Sequence, residues 1–136
     1  MNILLDANIY IDVACRPNLE VASVNLFKKL VLSPGIDVCL ASCSYTDIFY
    51  VISRLTEKKH ALEFFQTLES ANVKFLDFTE KEIRFAKTLK FSDLEDACVC
   101  ATAVLSNCSL IVTRDVKDFK NSPTKIRTPS QFLREL

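Results

Sequence analysis

Short runs of consecutive apolar residues alternate along this chain with longer segments whose apolar residues recur every three or four positions. The short runs are typical of strands that are buried on both faces, as in a parallel sheet. We predict such strands at residues 3–5, 38–41, 73–76 and 110–113, with a short last strand at Ile126. Helical spacing predicts helices at residues 19–32, 44–55, 58–70, 80–89 and 94–105, and a closing helix from Pro129. This alternation predicts an α/β domain around a mostly parallel sheet.

Length and charge narrow the class of protein further. A chain of 136 residues has the usual size of one domain, so we expect a single domain over residues 1–136. Acidic and basic residues balance at 17 each, which argues against a broad cationic surface of the kind that binds DNA non-specifically. No apolar stretch approaches the ~20 residues of a membrane helix, and no signal peptide precedes the first strand. We therefore expect a cytoplasmic protein that does not enter a membrane.

Cysteine, histidine and glycine exclude several kinds of site. The six cysteines lie mostly within apolar runs and form no C-x2-C pair, and the single His60 cannot complete a Cys/His zinc set. Because His60 sits in a polar helix start, we expect it at the surface and not in a Ser/His/Asp triad. We expect reduced thiols that fill the core. Gly35 is the only glycine, which excludes a glycine-rich phosphate loop.

Two aspartates follow the two clearest strands. Asp6 comes directly after the first strand, and Asp115 comes just after the run that ends at Thr113. In parallel sheets, ligands bind beyond the carboxyl ends of the strands, so both side chains should face the same crevice. Each alone is equally typical of a turn or a helix cap. Asn8 could orient Asp6, and Thr113 could hydrogen-bond a ligand or the local turn.

A third aspartate, Asp96, is less easily explained by local structure. Ser92 and Glu95 form a capping-box pattern, and the helix dipole is sufficient to account for Asp93 and Glu95 in the first turn. Asp96, however, heads the apolar stripe that continues at Cys100, which is the buried face of the helix. A carboxylate placed there is costly unless it is paired, hydrogen-bonded or bound to a metal ion. The position therefore predicts a functional role.

A fourth aspartate, Asp47, lies just ahead of an apolar helical segment and by itself could be a capping partner of Ser44. Taken together, Asp6, Asp47, Asp96 and Asp115 can converge on one crevice. Close carboxylates repel each other and raise each other's pKa, and a hard divalent cation relieves the repulsion. Such a cation also activates water for phosphodiester hydrolysis.

The order and setting of these residues resemble the PIN domain over nearly the whole chain. The sequence of residues 3–8, Ile-Leu-Leu-Asp-Ala-Asn, is similar to the family's opening strand, with the first acid at Asp6 and a polar helper at Asn8. Asp96, followed by an alanine-rich helix, resembles the third acid. Thr-Arg-Asp, ending at Asp115, resembles the closing strand and the fourth acid.

The second acid of the family is commonly glutamate, and the aligned residue here is Asp47. Because aspartate is one methylene shorter, its contact to a metal ion is either direct at a shifted position or made through water. Residues 93–97, the Thr-Arg-Asp run and the tail at residues 128–133 are similar to a bacterial subgroup of toxin–antitoxin ribonucleases.

The resemblance implies a three-layer α/β/α sandwich, Mg²⁺ or Mn²⁺ as cofactor, endonucleolytic cleavage of RNA, a homodimer and inhibition by a cognate antitoxin protein. It makes Asp6, Asp96 and Asp115 the metal ligands, with Asp47 as a nearby or water-mediated contributor. The supporting residues are Asn8 and Thr113 as positioning groups, Asp93 as a helix cap or alternate metal contact, and Asp118 as a cap or outer partner. Arg54, Arg114 or Lys117 would hold the RNA backbone.

Two other functions compete with the enzyme. One is a non-catalytic PIN-like module that binds RNA or protein, which Asp47 and the lack of a strong basic patch would favour. The other is a phospho-receiver domain, which needs adjacent acids after the first strand and a lysine after a late strand. Asp6 has no acidic neighbour and Asp115 follows Thr-Arg, which argues against a receiver.

Overall fold

The strands form where the apolar runs predict them, and all five pair in parallel. The computed structural model describes residues 1–136. Its strands are β1 (Asn2–Leu5), β2 (Asp37–Ala41), β3 (Lys74–Leu76), β4 (Leu110–Val112) and β5 (Ile126–Arg127). Its helices are α1 (Ala7–Cys15), α2 (Val21–Val31), α3 (Tyr45–Leu55), α4 (Lys58–Ser70), α5 (Glu80–Thr88), α6 (Leu94–Leu105) and α7 (Pro129–Glu135), with short 3-10 helices at Ser42–Ser44 and Val116–Phe119. None of the helices is both long and apolar enough to cross a membrane.

The order of the strands determines where a crevice opens. The order is β3-β2-β1-β4-β5, with Leu4 of β1 paired to Cys39 of β2 and to Ile111 of β4. The chain moves from β1 to β2 and β3 on one side and then returns to β4 on the other side of β1. Right-handed crossovers in these two directions place their helices on opposite faces. The carboxyl ends of β1 and β4 are therefore the switch point at which α/β proteins bind ligands.

Side chains that alternate along the strands divide the interior into two cores. Ile3 and Leu5 face a large core that the helices α1 to α4 and α7 cover. Leu4 faces a smaller core, built with Val99 and Cys100 of α6. The helix α5 packs against α6 on that side. The predicted α/β/α sandwich is confirmed, and its sheet is entirely rather than mostly parallel.

The helix α1 is the one long element that the sequence pattern does not predict. It begins immediately after β1, and Asp6 is its N-cap, with Oδ1 accepting a hydrogen bond from the backbone N–H of Ala7 at 2.9 Å. Ile9, Tyr10 and Ile11 are consecutive and all buried. Because this helix is covered on most sides, it lacks the polar stripe by which an amphipathic helix is identified.

Two predicted helices differ in detail from those in the structure. The second begins at Val21 instead of residue 19, and Leu19 lies outside it, 81% exposed. In α5 the spacing of Ile83, Ala86 and Leu89 predicts one apolar face. This prediction is confirmed only in part: Ala86 is buried, but Ile83 is exposed and Glu82 is buried instead. Glu82 folds back on Thr79 and accepts a hydrogen bond from its backbone N–H at 2.9 Å, completing a capping box.

The helix α6 has the predicted bounds, but its N-cap differs from the prediction by one residue. Asp93, not Ser92, is the N-cap, and its Oδ1 accepts a hydrogen bond from the backbone N–H of Asp96 at 3.1 Å. Glu95 is therefore not the partner of a capping box. Ser44 likewise makes no side-chain cap at the start of α3.

An ion pair between a buried carboxylate and a partly exposed arginine joins α1 and α2 to the loop after β4. Asp12 of α1 has no exposed surface, and its Oδ2 accepts hydrogen bonds at 2.8 Å from both Arg114 Nε and Ser23 Oγ. A second bond runs from Arg114 Nη2 to Asp12 Oδ1 at 3.1 Å. This two-bond geometry is the strong form of an arginine–carboxylate contact. It also bears on the prediction for Arg114, because two nitrogens of this guanidinium are already bound to Asp12.

We expect Asp12→Asn to lower the free energy of unfolding by about 1–3 kcal/mol, because it removes the main counter-charge of the partly exposed Arg114 and the buried acceptor of two further hydrogen bonds. Urea denaturation followed by circular dichroism measures the change. Arg84→Gln is the matched control, since Arg84 and Glu80 form an exposed ion pair whose loss should change stability little. Equal effects of the two substitutions would contradict the structural role of Asp12.

Candidate active site

A cleft of about 660 Å³ opens beyond the carboxyl ends of β1 and β4. The four aspartates singled out from the sequence all line it: Asp6, Asp47, Asp96 and Asp115. Asn8 and Glu95 line it as well. Asp93 and Asp118 lie instead around a smaller pocket of about 110 Å³, which shares Asp96 with the cleft.

Asp6 combines the two roles that its position in the sequence allows. Its Oδ1 caps α1 through Ala7, and its Oδ2 accepts a hydrogen bond from the hydroxyl of Thr113 at 2.8 Å. Burial raises the pKa of Asp6 above the usual 3.8, the hydrogen bonds from Thr113 and Ala7 offset part of the rise, and the charges of Asp115 and Asp118 add to it. The side chain of Asp6 is therefore firmly positioned, but its surroundings disfavour its negative charge.

Thr113 and Asn8 hold the two strand-end acids together. The buried Thr113 hydroxyl donates to Asp6 and accepts from the backbone N–H of Asp115 at 3.0 Å. Asn8 Nδ2 donates to Asp115 Oδ2 at 3.1 Å and makes a longer contact of 3.5 Å to Asp6 Oδ2. Both side chains thus act within the protein as bridges that set the separation of Asp6 and Asp115.

Asp96 approaches these acids from the start of α6 and is half-buried. Its pKa is raised from 3.8 to about 7, first by burial and then by the negative charges of Asp6, Asp93, Asp118 and Asp115. The sequence placed Asp96 on a buried helix face, and the structure shows that the neighbouring acids add to the cost of its charge.

Asp47 lies against a carboxylate that the sequence did not single out. The carboxyl groups of Glu95 and Asp47 interact across the cleft, which raises the pKa of Glu95, and Asp93 contributes to the rise. Sequence reasoning missed Glu95 because Ser92 and Glu95 match a capping box. The only available signal was its position next to Asp96.

The donor chemistry of the cleft fits a hard divalent cation. Asp6, Asp96 and Asp115 offer only oxygen atoms, which Mg²⁺ and Mn²⁺ prefer. A cation would also relieve the burial and repulsion that raise the pKa of Asp6 and Asp96. No three His, Cys, Asp or Glu side chains are spaced as a ready-made metal site, so these carboxylates would have to move closer together to share an ion.

The cysteines divide between the core and the cleft. All six are free; Cys39, Cys100 and Cys108 are buried, as predicted for core-filling thiols. Cys43 and Cys98, by contrast, are only partly buried and line the cleft. His60 is also not a simple surface residue, because its Nε2 lies 2.9 Å from the backbone oxygen of Ala14.

Comparisons with known proteins agree with this architecture. A sequence model of the PIN domain matches residues 2–117. The chain is 22% identical over 135 residues to ribonuclease VapC1 of Aquifex aeolicus, covering 96% of this chain and 92% of that protein.

Solved structures resemble the chain in fold. VapBC2 from Rickettsia felis, bound to a DNA fragment from its promoter, aligns with a TM-score of 0.76 at 18% identity, over 94% of this chain and 98% of that one. FitAcB from Neisseria gonorrhoeae aligns with a TM-score of 0.66 at 24% identity, over 94% of this chain and 98% of that one. A toxin–antitoxin complex from Klebsiella pneumoniae aligns with a TM-score of 0.66 at 18% identity, over 93% and 97%.

We expect the stability of the metal-free protein to fall as the pH rises from about 4 to about 7. Because the folded pKa of Asp96, about 7, lies above its ordinary value of 3.8, the folded chain keeps a proton in this window that the unfolded chain has lost. Asp96→Asn should reduce this fall. Above neutral pH, the free energy of unfolding of the variant should exceed that of the wild type by about 1 kcal/mol, after allowance for solvent screening. Urea denaturation at a series of pH values in EDTA measures this.

Added Mg²⁺ provides the control. Above neutral pH it should stabilise the wild type more than Asp96→Asn, because an ion that binds only the folded state stabilises it by mass action. Parallel pH profiles for the two proteins, with and without Mg²⁺, would contradict the assignment of Asp96.

Proposed function

Since this chain belongs to the PIN-domain family, we propose that it is an endoribonuclease dependent on Mg²⁺ or Mn²⁺ and the toxin of a toxin–antitoxin pair. The observation that carries the proposal is the convergence of Asp6, Asp96 and Asp115 at the switch point of the sheet, where their charges are mutually unfavourable without a cation. The similarity to ribonuclease VapC1 supports the same chemistry.

In this proposal Asp6, Asp96 and Asp115 would hold the cation. When bound, the cation would polarise a water molecule and offset the charge of the scissile phosphate. The protein supplies the geometry: Thr113 ties Asp6 to the backbone of Asp115, and Asn8 ties the two carboxylates to each other. Such outer partners orient the side chains that bind a metal ion.

Asp47 and Glu95 together would take the place of the second acid. Asp47 is exposed at the start of α3, and Glu95 reaches towards it from α6. The additional methylene of Glu95 compensates for the shorter Asp47. Their contact with the cation would be made through water or after a small movement of either side chain.

The remainder of the cleft suits single-stranded RNA. Tyr50 and Leu94 are 63% and 64% exposed beside it, and Phe78 lines its wall. Unpaired bases stack on aromatic and apolar side chains of this kind, whereas bases within a duplex cannot reach them. Asp6 and Asp96 are more buried than Tyr50 and Leu94, and the backbone of such a strand would pass beside them.

A protein partner is the second part of the proposal. VapBC, FitAB and the Klebsiella complex are assemblies of related fold, and we propose a cognate antitoxin that covers the cleft and its exposed apolar rim. Tyr50 and Leu94 would be shielded in that complex. We also propose, by resemblance to the family, that the chain forms a homodimer, and that it meets both RNA and antitoxin in the cytoplasm.

We expect purified protein to cleave single-stranded RNA with Mg²⁺ or Mn²⁺ and to be inactive in EDTA. Asp96→Asn should lower kcat by at least about 100-fold, because it removes a charged group that supports the reaction directly. Asp47→Asn and Glu95→Gln should each cost about tenfold, as expected of groups that act through water. Gel-based cleavage of a labelled RNA measures the rates.

Asp37→Asn is the control for these aspartate substitutions. Asp37 begins β2 at the opposite edge of the sheet, where it pairs with Lys74, so its replacement should leave cleavage unchanged. No cleavage by the wild type with either metal, and no difference between wild type and Asp96→Asn, would leave a non-catalytic binding module as the function.

The antitoxin is tested through the neighbouring genes. A small open reading frame beside this one should encode a protein that copurifies with the chain and suppresses its ribonuclease activity. Tyr50→Asp together with Leu94→Asp should weaken that complex, because it places charge on the apolar rim. Copurification that is unaffected by the double substitution would move the antitoxin interface elsewhere.

A further inference from the structure

The small pocket beside the cleft collects three of the chain's lysines. It has a volume of about 110 Å³, and Lys90, Lys117 and Lys120 line it together with Asn121. A water molecule occupies about 30 Å³ in the liquid, so this pocket has room for a group the size of a phosphate. Because it shares Asp96 with the cleft, a group bound there lies next to the catalytic acids.

The three ammonium groups are not used by the fold. None of them forms an ion pair within 4 Å. The ion pairs of the structure are made by Arg16, Lys74, Arg84, Arg114 and Arg127. Lysine is a strongly hydrated point charge that binds phosphate without a fixed geometry. Three such charges around one pocket can bind an anion once the acids beside them no longer cancel their charge.

The pocket is held in shape from both sides. Lys90 precedes α6, whereas Lys117 and Lys120 belong to the 3-10 helix after β4 or to its end. Two contacts join these segments. Asn121 Nδ2 donates to the backbone oxygen of Lys90 at 2.6 Å, and the rings of Phe91 and Phe119 meet edge to face at 5.8 Å.

Three acids match the three lysines in number around the pocket. Asp93, Asp96 and Asp118 line it together with the lysines. If the charge of Asp96 is neutralised by a cation in the cleft, the lysines outnumber the remaining charged acids around the pocket. The pocket then attracts an anion. Coupling of this kind is reciprocal, so an anion in the pocket would also favour the cation.

We propose that Lys90, Lys117 and Lys120 bind a backbone phosphate of the RNA substrate adjacent to the one that is cut. This inference rests on the proposed ribonuclease function. The strand would run from the apolar side of the cleft at Tyr50, past the acids, to the lysine pocket. Contacts of this kind fix the position of the strand without reading its sequence.

The test measures RNA binding in EDTA, where no cleavage can occur. Fluorescence anisotropy of a short fluorescein-labelled oligouridine is recorded with Asp96→Asn protein, in which three lysines face only two acids. Above neutral pH, where Asp96 of the wild type is charged, this variant should bind more tightly than the wild type. Adding Lys117→Gln and Lys120→Gln should weaken binding about tenfold and reduce the slope of log affinity against log salt by about 0.7, as for one lost phosphate contact on a single strand.

The matched control is Lys28→Gln with Lys29→Gln on the same Asp96→Asn background. Both lysines are exposed in the last turn of α2, next to the turn at Gly35 that hydrogen-bonds Met1 at the amino edge of the sheet. Their replacement removes the same charge at the opposite edge from the cleft. It should leave binding and its salt dependence nearly unchanged.

The outcomes separate this inference from the proposed function. Failure of the wild type to cleave RNA with Mg²⁺, together with a selective loss of binding in the Lys117/Lys120 variant, removes the enzyme but keeps the phosphate site. Normal cleavage, together with equal binding by both lysine variants, overturns the phosphate site alone. Absence of any oligouridine binding by Asp96→Asn also overturns it. Thermal melts of the two lysine variants should coincide with that of Asp96→Asn alone, because the substituted lysines are exposed.

Discussion

The ion pair between the buried Asp12 and the partly exposed Arg114 determines how the strand-end acids can be arranged. Arg114 lies between Thr113 and Asp115, and its two hydrogen bonds to Asp12 fasten the loop after β4 to α1. The helix α1 in turn begins at Asp6. The separation between Asp6 and Asp115 therefore depends on the contacts that join β1, α1 and the loop after β4. The carboxylate of Asp12, which has no exposed surface, lies on the far side of these contacts. A buried charge is tolerated at this place because it is fully paired.

A second constraint follows from that arrangement, since the cleft holds more negative charge than it can stabilise alone. Asp96 and Glu95 enter from α6 towards acids that already lie near each other, and the pKa of each is raised. Hydrogen bonds from Thr113 and Asn8 stabilise Asp6 and Asp115 only in part. The stability lost in this way is typical of a site arranged for a ligand, because a cation would recover it.

The surface on one side of the acids differs in chemistry from the surface on the other. Exposed apolar side chains, Tyr50 and Leu94, lie on one side, and the lysine pocket lies on the other. The chain has no net charge, yet three lysines that form no ion pair lie together around the pocket on one side of this site. An RNA strand with its bases on the apolar side and its backbone on the lysines would cross the acids between them. The exposed apolar side would equally need cover when no RNA is bound, which agrees with the proposal of a protein inhibitor.

Local patterns in the sequence determined the strands, most of the helices and the three acids Asp6, Asp96 and Asp115, because burial on both faces and helical periodicity are properties of neighbouring residues. Four features were decided only by the tertiary structure. Helix α1 is covered on most sides and shows no polar stripe. Arg114 and Asp12 are 102 positions apart. Glu95 matches a capping box in the sequence, but the N-cap in the structure is Asp93 and not Ser92. The lysine pocket joins two distant loops. Each of these depends on contacts between segments that no local pattern records, and such contacts decide which polar groups are paired and which remain free to act.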